Sequence, residues 1–509
     1  MSQSTATNAK VPVYDLLVIG GGINGAAVAR DAAGRGLSVV LCEKDDLASH
    51  TSSASTKLIH GGLRYLEQFD FKLVRESLKE REILLRAAPH IIWPLRFILP
   101  YDEGLRPKWV LRMGLFLYDN LGGRELLPGT KTRKLGSGSR FDSLKDRLKT
   151  GFEYSDCWVE DARLVVLNAV DAARQGADIF TRTEVSSIQG EEGLYRAALK
   201  TSRGEKIVKA RGVVNAAGPW VDSLLGRVEK SDLKDETTLR LVKGSHIVVP
   251  KLYDGDHAFI FQNSDERVIF AIPYEQDFTL IGTTDVPHES PNDLPAASDA
   301  ETQYLCDCVN EYFKSQTSPK DVVWTYSGVR PLYDDKAADA SDVTRDYVLD
   351  LKKYETDAPF ISVYGGKITT SRKLADHVME KIKHYYPDMG KPWTKKAYFP
   401  GGNIPEADFE EFYKSQLDHY PDLEPELVLR LARRYGTRLT KVLENRVGKE
   451  FGGDLTEADA RYLTEYEWAE EPEDILWRRT KCGLHMSEGE QAAFKEWFQS
   501  AGLGSTLST

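Results

Sequence analysis

Apolar and polar positions follow two rhythms along this chain, and the changes of rhythm mark out its elements. Residues 16–19 are an unbroken apolar run, as a strand buried on both faces requires. A small-residue helix is expected over 26–33, a turn at Gly34-Arg35-Gly36, and a second strand over 37–41. The form returns twice. Residues 212–225 read as strand, small-residue turn and helix. Residues 361–382 read as strand, Gly365-Gly366 and a helix with Leu374, Ala375, Val378 and Ile382 on one face. Between them, "LRLVKGSHIVVP", "HAFIFQN", "RVIFAIPY" and "FTLIGTTDV" are β-rich runs parted by turns, which predicts an antiparallel sheet. Residues 386–403 form a connection bearing Pro and Gly, and the signals beyond it are helical, with Pro425 opening one helix and Gly436 stopping it. One stretch, "SASTKLIHGGLRYLEQ" at 53–68, fits neither rhythm. Its alternation fails, and Gly61-Gly62 would cost about 1 kcal/mol each in a helix interior. It sets Lys57, His60 and Arg64 around that glycine pair.

At 509 residues the chain is too long for one core, so two or three domains are expected. A net charge of −11 argues against a nucleic-acid partner and leaves room for a local cationic site. Five scattered cysteines without a CxxC predict a reducing compartment and no disulfide framework. No metal site is expected, because the histidines are not paired at ligand spacing. The polar opening "MSQSTATNAK" is not expected to be a signal peptide. No apolar run approaches the roughly 18 residues of a spanning helix. The longest, 90–100 and 109–121, are interrupted by Arg96 and Arg112.

The strongest chemical signal follows the first strand. Gly20-x-Gly22-x-x-Gly25 opens a helix, and Glu43 ends the next strand 23 residues after Gly20. The glycines let a pyrophosphate approach backbone N–H groups at a helix N-terminus, and the acid accepts from ribose hydroxyls. This predicts dinucleotide binding. The spacing does not choose between NAD and FAD. The two later strand–turn–helix returns fit a flavin fold, since a helix start behind a glycine pair offers partial positive charge to a reduced flavin.

With "GGGINGA", "TSSASTKLIHGGLRYLE", "GFEYSDCWVEDARL", "NAAGPWV", "KGSHIVVP", "IGTTDV", "WTYSGVRPL", "TRDY", "GGKITTSRKLA" and "DILWRRTK", the chain resembles the respiratory FAD-dependent glycerol-3-phosphate dehydrogenases of the D-amino-acid-oxidase-like flavoprotein group. The resemblance implies an α/β (α+β) architecture with three parts. A Rossmann-like FAD-binding domain takes 12–90, 160–235 and 345–385, an antiparallel-sheet substrate domain takes 91–159 and 236–344, and a helical C-terminal cap takes 400–509. It implies cofactor contacts from Gly20, Gly22, Asn24, Gly25, Glu43, Ser52, Ser53, Lys57, His60, Gly61, Gly62, Val185, Ala217, Gly218, Trp220, Gly366, Lys367, Ile368 and Thr369. Gly61 and Gly62 would let backbone pack against the isoalloxazine. Arg64, Tyr65, Arg330, Arg345 and Lys367 are expected to bind substrate. His60, Arg330 and His246 are expected to be catalytic, with His60 the first candidate for the base and His246 the second. His246 reads equally well as a core histidine.

Several cations around one pocket favour a phosphate ester over an amino acid. The expected reaction is oxidation of sn-glycerol 3-phosphate to dihydroxyacetone phosphate. The expected partners are a membrane quinone, the lipid surface at the cytoplasmic face of the inner membrane, and a second copy in a homodimer. An oxidase using O2 and releasing H2O2 would present nearly the same site. A nucleotide-binding scaffold and an amino-acid oxidase are the remaining alternatives. Residues 91–121, rich in Trp, Phe, Leu, Lys and Arg, are the candidate lipid contact, against a buried connector helix.

Overall fold

The computed structural model describes residues 11–504 except 68, 103–106, 230–238, 264, 266, 335–345 and 446. One six-stranded sheet runs in the spatial order Val348–Lys352, Phe360–Tyr364, Val213–Asn215, Leu16–Ile19, Val39–Cys42, Asp178–Phe180. The inner pairs are parallel, and only the edge pair of Val348–Lys352 with Phe360–Tyr364 is antiparallel. Leu16, Leu17 and Val18 are apolar on both faces because both are covered. The helices Ile23–Gly34, Asp161–Arg174 and Ser371–Ile382 pack on one face. A four-stranded sheet, with strands Val13–Tyr14, Gly204–Ala210, Leu194–Thr201 and Glu184–Glu191, packs on the other. The charges of helix Ile23–Gly34 are paired where they are buried. Arg30 donates to Asp171 at 2.7 Å, and Arg35 bridges Asp31 and Asp376 at 2.8 Å each.

The antiparallel runs of the middle chain join the strands Ile92–Tyr101 and Thr150–Val159 in a ten-stranded sheet. Three sequence expectations change here. Leu58–Ile59, inside the segment assigned to the nucleotide domain, pairs with Cys157 and Trp158 of this large sheet. Two residues are too few to carry a readable alternation. The 91–121 segment is not one element. Ile92–Tyr101 is a strand with Ile92, Phe97, Ile98 and Leu99 buried, and Lys108–Leu121 is a separate helix. That helix is not the buried connector weighed for it, since Trp109, Met113 and Phe116 are 67%, 52% and 66% exposed.

The C-terminal helices include Phe409–His419, Pro425–Tyr435, Glu457–Glu467 and Glu488–Ser500, the last three closing on a core that includes Leu431, Leu463 and Phe494. Gly436 stops its helix at φ 54°, and the Thr456/Asp459 and Ser487/Glu490 boxes cap two others. The stretch Asp474–Arg479 is a π-type turn.

His90 is fully buried against the Gly401 and Gly436 backbones, and neither ring nitrogen has a protein partner. Burial, with Arg163 and Arg433 adding to it, pushes its pKa down to about 3. Unfolded His90 binds a proton below about 6.5 and the folded one does not, so stability is retained above that pH and lost as pH falls toward 3. This residue alone should remove about 3 kcal/mol between pH 7 and pH 4. His90→Leu should therefore flatten the acid limb of the urea midpoint. Parallel wild-type and variant curves would exclude His90 as the source.

Candidate functional site

A cavity of about 210 Å³ opens at the carboxyl ends of Leu16–Ile19, Val39–Cys42 and Val213–Asn215. Open α/β sheets bind ligands at this place. Of the sequence-predicted residues, Gly20, Gly22, Glu43, Ser52, Val185, Ala217, Gly218 and Trp220 line it. Gly25 closes the turn from behind, where a Cβ would stand 1.9 Å from the Gly20 carbonyl oxygen. One Glu43 carboxylate oxygen accepts from Gly21 N–H at 2.6 Å and the other from Asp45 N–H at 2.8 Å. Burial raises the Glu43 pKa, and these two N–H groups work against the rise. Each oxygen keeps a lone pair for a ribose hydroxyl. Ser52 Oγ accepts from Ile23 N–H at 2.9 Å at the helix start. The Trp220 ring lies under Lys44 at 3.7 Å and beside His50 at 4.6 Å. Glu43, Asp45 and His50 present ligand atoms within 4.8 Å of one another. Within this cluster Asp45 is taken up by the His50 ring at 2.7 Å. The turn, the free lone pairs and the helix start fit an adenine dinucleotide. Glu43→Ala should weaken its binding roughly 10- to 150-fold, the loss of a hydrogen bond to a charged group worth about 1.5–3 kcal/mol. Titration of the apoprotein checks this, and unchanged affinity would reject the placement.

A second cavity, of about 710 Å³, lies beside the irregular 53–68 stretch. His60, Gly62, Arg64, Tyr65 and Arg330 line it, as the sequence led us to expect. Burial lowers the His60 pKa; nearby Asp156 opposes the shift, and Lys367 and Arg81 add to it. The ring is therefore neutral near pH 7 and can accept a proton. The Lys367 ammonium is buried without a hydrogen-bond partner and sits 3.9 Å over the Tyr65 ring. A buried, unpartnered ammonium is costly, and an anionic ligand would relieve that cost. Arg330 donates to the Thr284 carbonyl at 2.9 Å and pairs with Asp285. Asp285 and Asp156 also line this cavity and were missed, although both sit in stretches, "IGTTDV" and "GFEYSDCWVEDARL", that carry the resemblance.

Asn24 and the 365–370 segment tie the first glycine turn to the His60 stretch, although none of these residues lines either cavity. Asn24 Nδ2 donates to the Gly365 carbonyl at 2.9 Å, and a Cβ on Gly366 would come within 2.9 Å of that nitrogen. Thr369 Oγ1 accepts from His60 N–H at 3.3 Å. Ile368–Thr370 forms a 3-10 turn, so the helix proper starts only at Ser371.

Five of the expected residues meet partners within the protein that lie far off or unmarked in the sequence. Lys57 is fully buried, and its ammonium is committed to Asp161 at 2.8 and 2.9 Å and to the Ser53 carbonyl at 3.0 Å. It is a strut of the fold, with no donor left for a cofactor. Ser53 Oγ donates to the His50 carbonyl at 3.2 Å, closing a local turn. Gly61 is small because Leu78 and Tyr118 press on it, a Cβ meeting Leu78 Cδ2 at 2.5 Å. Gly62, at φ 75°, faces the Tyr65 ring. Protein packing therefore meets both glycines on these sides, and Gly62 also borders the second cavity. His246 is 2% exposed, stacked on Tyr326 at 4.7 Å, with Nε2 2.9 Å from Thr56 Oγ1, so it reads as a core histidine. Its pKa is well below the usual value, through burial first and then Lys57 and Arg330. Arg345 lies outside the described residues.

Residues 15–351 match the family described as "FAD dependent oxidoreductase", and residues 392–499 match "C-terminal domain of alpha-glycerophosphate oxidase". The chain is 53% identical to the D-erythritol 1-phosphate dehydrogenase of Brucella abortus, over 96% of this chain and 98% of that one. It is 48% identical to a glycerol-3-phosphate dehydrogenase of Pseudomonas aeruginosa, over 98% of each. Among solved structures it is similar to the glycerol-3-phosphate dehydrogenase of Bacillus halodurans complexed with FAD. There the TM-score is 0.71 at 26% identity, over 96% of this chain and 94% of that one.

Proposed function

The chain belongs to the FAD-dependent oxidoreductase family and carries the C-terminal domain of α-glycerophosphate oxidase, and from that premise we propose that it oxidises the secondary alcohol of a small polyol monophosphate, first of all sn-glycerol 3-phosphate to dihydroxyacetone phosphate. The observation that carries this reading is the second cavity, which His60, Arg64 and Arg330 line, with the unpartnered Lys367 ammonium 3.9 Å over the ring of Tyr65, another lining residue. The Gly20–Gly25 turn and Glu43 would hold FAD, which would supply the acceptor for the hydrogen on C2. His60, neutral at pH 7, takes the proton of the C2 hydroxyl through a ring nitrogen. Arg330 and Lys367 bind the phosphate and stabilise charge growing on the C2 oxygen. Arg64 adds a further cation to the lining.

A second substrate is favoured by the 53% identity to a D-erythritol 1-phosphate dehydrogenase, and about 710 Å³ admits a four-carbon chain as readily as a three-carbon one. The test is kcat/KM for both phosphates, with glycerol as the control. Equal rates on glycerol and its phosphate would sink the phosphate pocket.

The acceptor in this reading is a membrane quinone. Phe69, Val110, Leu111, Met113 and Leu117 also line this cavity, which gives it an apolar surface. No described helix is long and apolar enough to cross a membrane, so the enzyme would lie on the surface, at the cytoplasmic face of the inner membrane. Trp109, Arg112, Met113 and Phe116 share the exposed face of helix Lys108–Leu121, with Lys108 at its start. An apolar stripe flanked by cations suits an anionic bilayer. Flotation with anionic vesicles should succeed for wild type and fail for a Trp109→Ser/Phe116→Ser double variant. Retained binding would move the contact elsewhere. No binding, with brisk H2O2 release in air, would favour the oxidase.

A further inference from the structure

We infer that the C-terminal helical domain, through Arg478 and Arg479, holds the Glu43–Ala48 loop in the shape that binds the adenosine half of FAD.

This loop follows the strand Val39–Cys42, and its Glu43, Lys44 and Ala48 line the nucleotide cavity. On its inner side it is fastened by backbone: Ala48 N–H donates to the Gly21 carbonyl at 3.1 Å, and Thr183 N–H donates to the Glu43 carbonyl at 2.7 Å. On its outer side it is held by the π-type turn. Arg479, fully buried, donates both Nη groups to the Asp46 carboxylate, each at 2.7 Å. Arg478 Nε donates to the same carboxylate at 2.6 Å, and its other end pairs with Asp474. Arg182 closes the frame. Its backbone N–H donates to the Asp45 carbonyl at 2.9 Å, and its guanidinium reaches Asp474 at 2.9 and 3.1 Å.

Asp46 and Asp474 are 1% and 0% exposed, so each carboxylate depends on these cations. A planar guanidinium bound through two parallel N–H groups fixes orientation as well as distance. A shift of Asp46 would be passed to Glu43, three residues away, whose carboxylate shapes the Gly20–Gly25 turn through Gly21 N–H. The "DILWRRTK" stretch thus acts on the cofactor through the loop, without touching the cavity itself.

The inference rests on the adenosine ribose binding at Glu43, and the test separates the two. Apoprotein is titrated with FAD and with ADP, for wild type, Arg479→Lys, Arg478→Gln and Glu43→Ala. Arg479→Lys keeps the charge and loses the fork. It should raise both dissociation constants roughly 10- to 100-fold, the scale at which groups that orient a binding shell act. Activity lost on dilution should return with excess FAD. Arg478→Gln, on a side chain 19% exposed, should act in the same direction but less, and it carries the test if Arg479→Lys does not fold. ADP affinity within twofold of wild type in both arginine variants, while Glu43→Ala weakens it, would overturn the clamp and leave the ribose placement standing. A lower melting point of the apoprotein without a change in ADP affinity would mark a merely structural contact and also overturn it. No change in any of the three would remove both.

Discussion

Arg330→Leu is expected to lower kcat/KM for glycerol 3-phosphate by at least about 10²-fold, from a lost charge-assisted contact of about 3 kcal/mol. Asp285 enlarges the effect. Its carboxylate pairs with Arg330 in the wild type, and in the variant it would face the substrate dianion without a counter-charge. Arg330→Leu/Asp285→Asn should therefore be faster than Arg330→Leu alone, an order opposite to simple additivity of two losses. Oxidation of plain glycerol should be slow in the wild type and fall far less than that of the phosphate, since only the charge on the C2 oxygen is then at stake. Steady-state kinetics on both alcohols decide the matter. An equal fall for glycerol and its phosphate would take Arg330 away from the phosphate.

His60→Gln is expected to slow flavin reduction by roughly 10²–10⁴-fold, the range of general-base catalysis. Substrate binding should weaken far less. The pH profile carries the sign. The base works unprotonated, and burial lowers the His60 pKa below its usual 6.5. Wild-type kcat/KM, which reports the free enzyme, should fall only once the pH drops below that depressed pKa and be level above 6.5. The variant should lack this limb. Stopped-flow reduction at the wild-type rate would return the role to His246 or to solvent. His246 is the poorer base on present geometry, stacked on Tyr326 with its Nε2 beside Thr56.

What could be read along the chain was written locally. The glycines of the first turn, Glu43 at the end of its strand, Pro425 and Gly436 at the ends of a helix, and the alternating runs of the large sheet each announce themselves within a few residues. What could not be read depends on partners far away in sequence. Lys57 looked like a ligand because Asp161, which neutralises it, lies 104 residues on. Gly61 looked like space for a ring because Tyr118 is 57 residues away. Arg330 looked free because its partner Asp285, 45 residues earlier, sits in a strand-end motif with no charge pattern of its own. The apolar 90–100 stretch suggested a lipid contact because a strand buried in a sheet and an interfacial segment share the same composition. The exposed stripe of Trp109, Met113 and Phe116 shows only once the helix is folded against Leu115 and Tyr118 as its inner side.

The interleaving of the parallel sheet bears on how the chain is made. Leu16–Ile19 is flanked by Val39–Cys42 on one side and by Val213–Asn215 on the other, which in turn needs Phe360–Tyr364. A ribosome adding about 5–20 residues per second takes roughly 20–70 s to travel from the first of these strands to the last. For that interval the nucleotide turn, complete in the chain by residue 43, rests on a sheet with an open flank. Nascent chains shorter than about 364 residues should therefore bind little nucleotide and should hold chaperones on their exposed apolar strands. Loading with cofactor then belongs to the end of synthesis, once the last strand has closed the sheet and the C-terminal domain has brought Arg478 and Arg479 to Asp46.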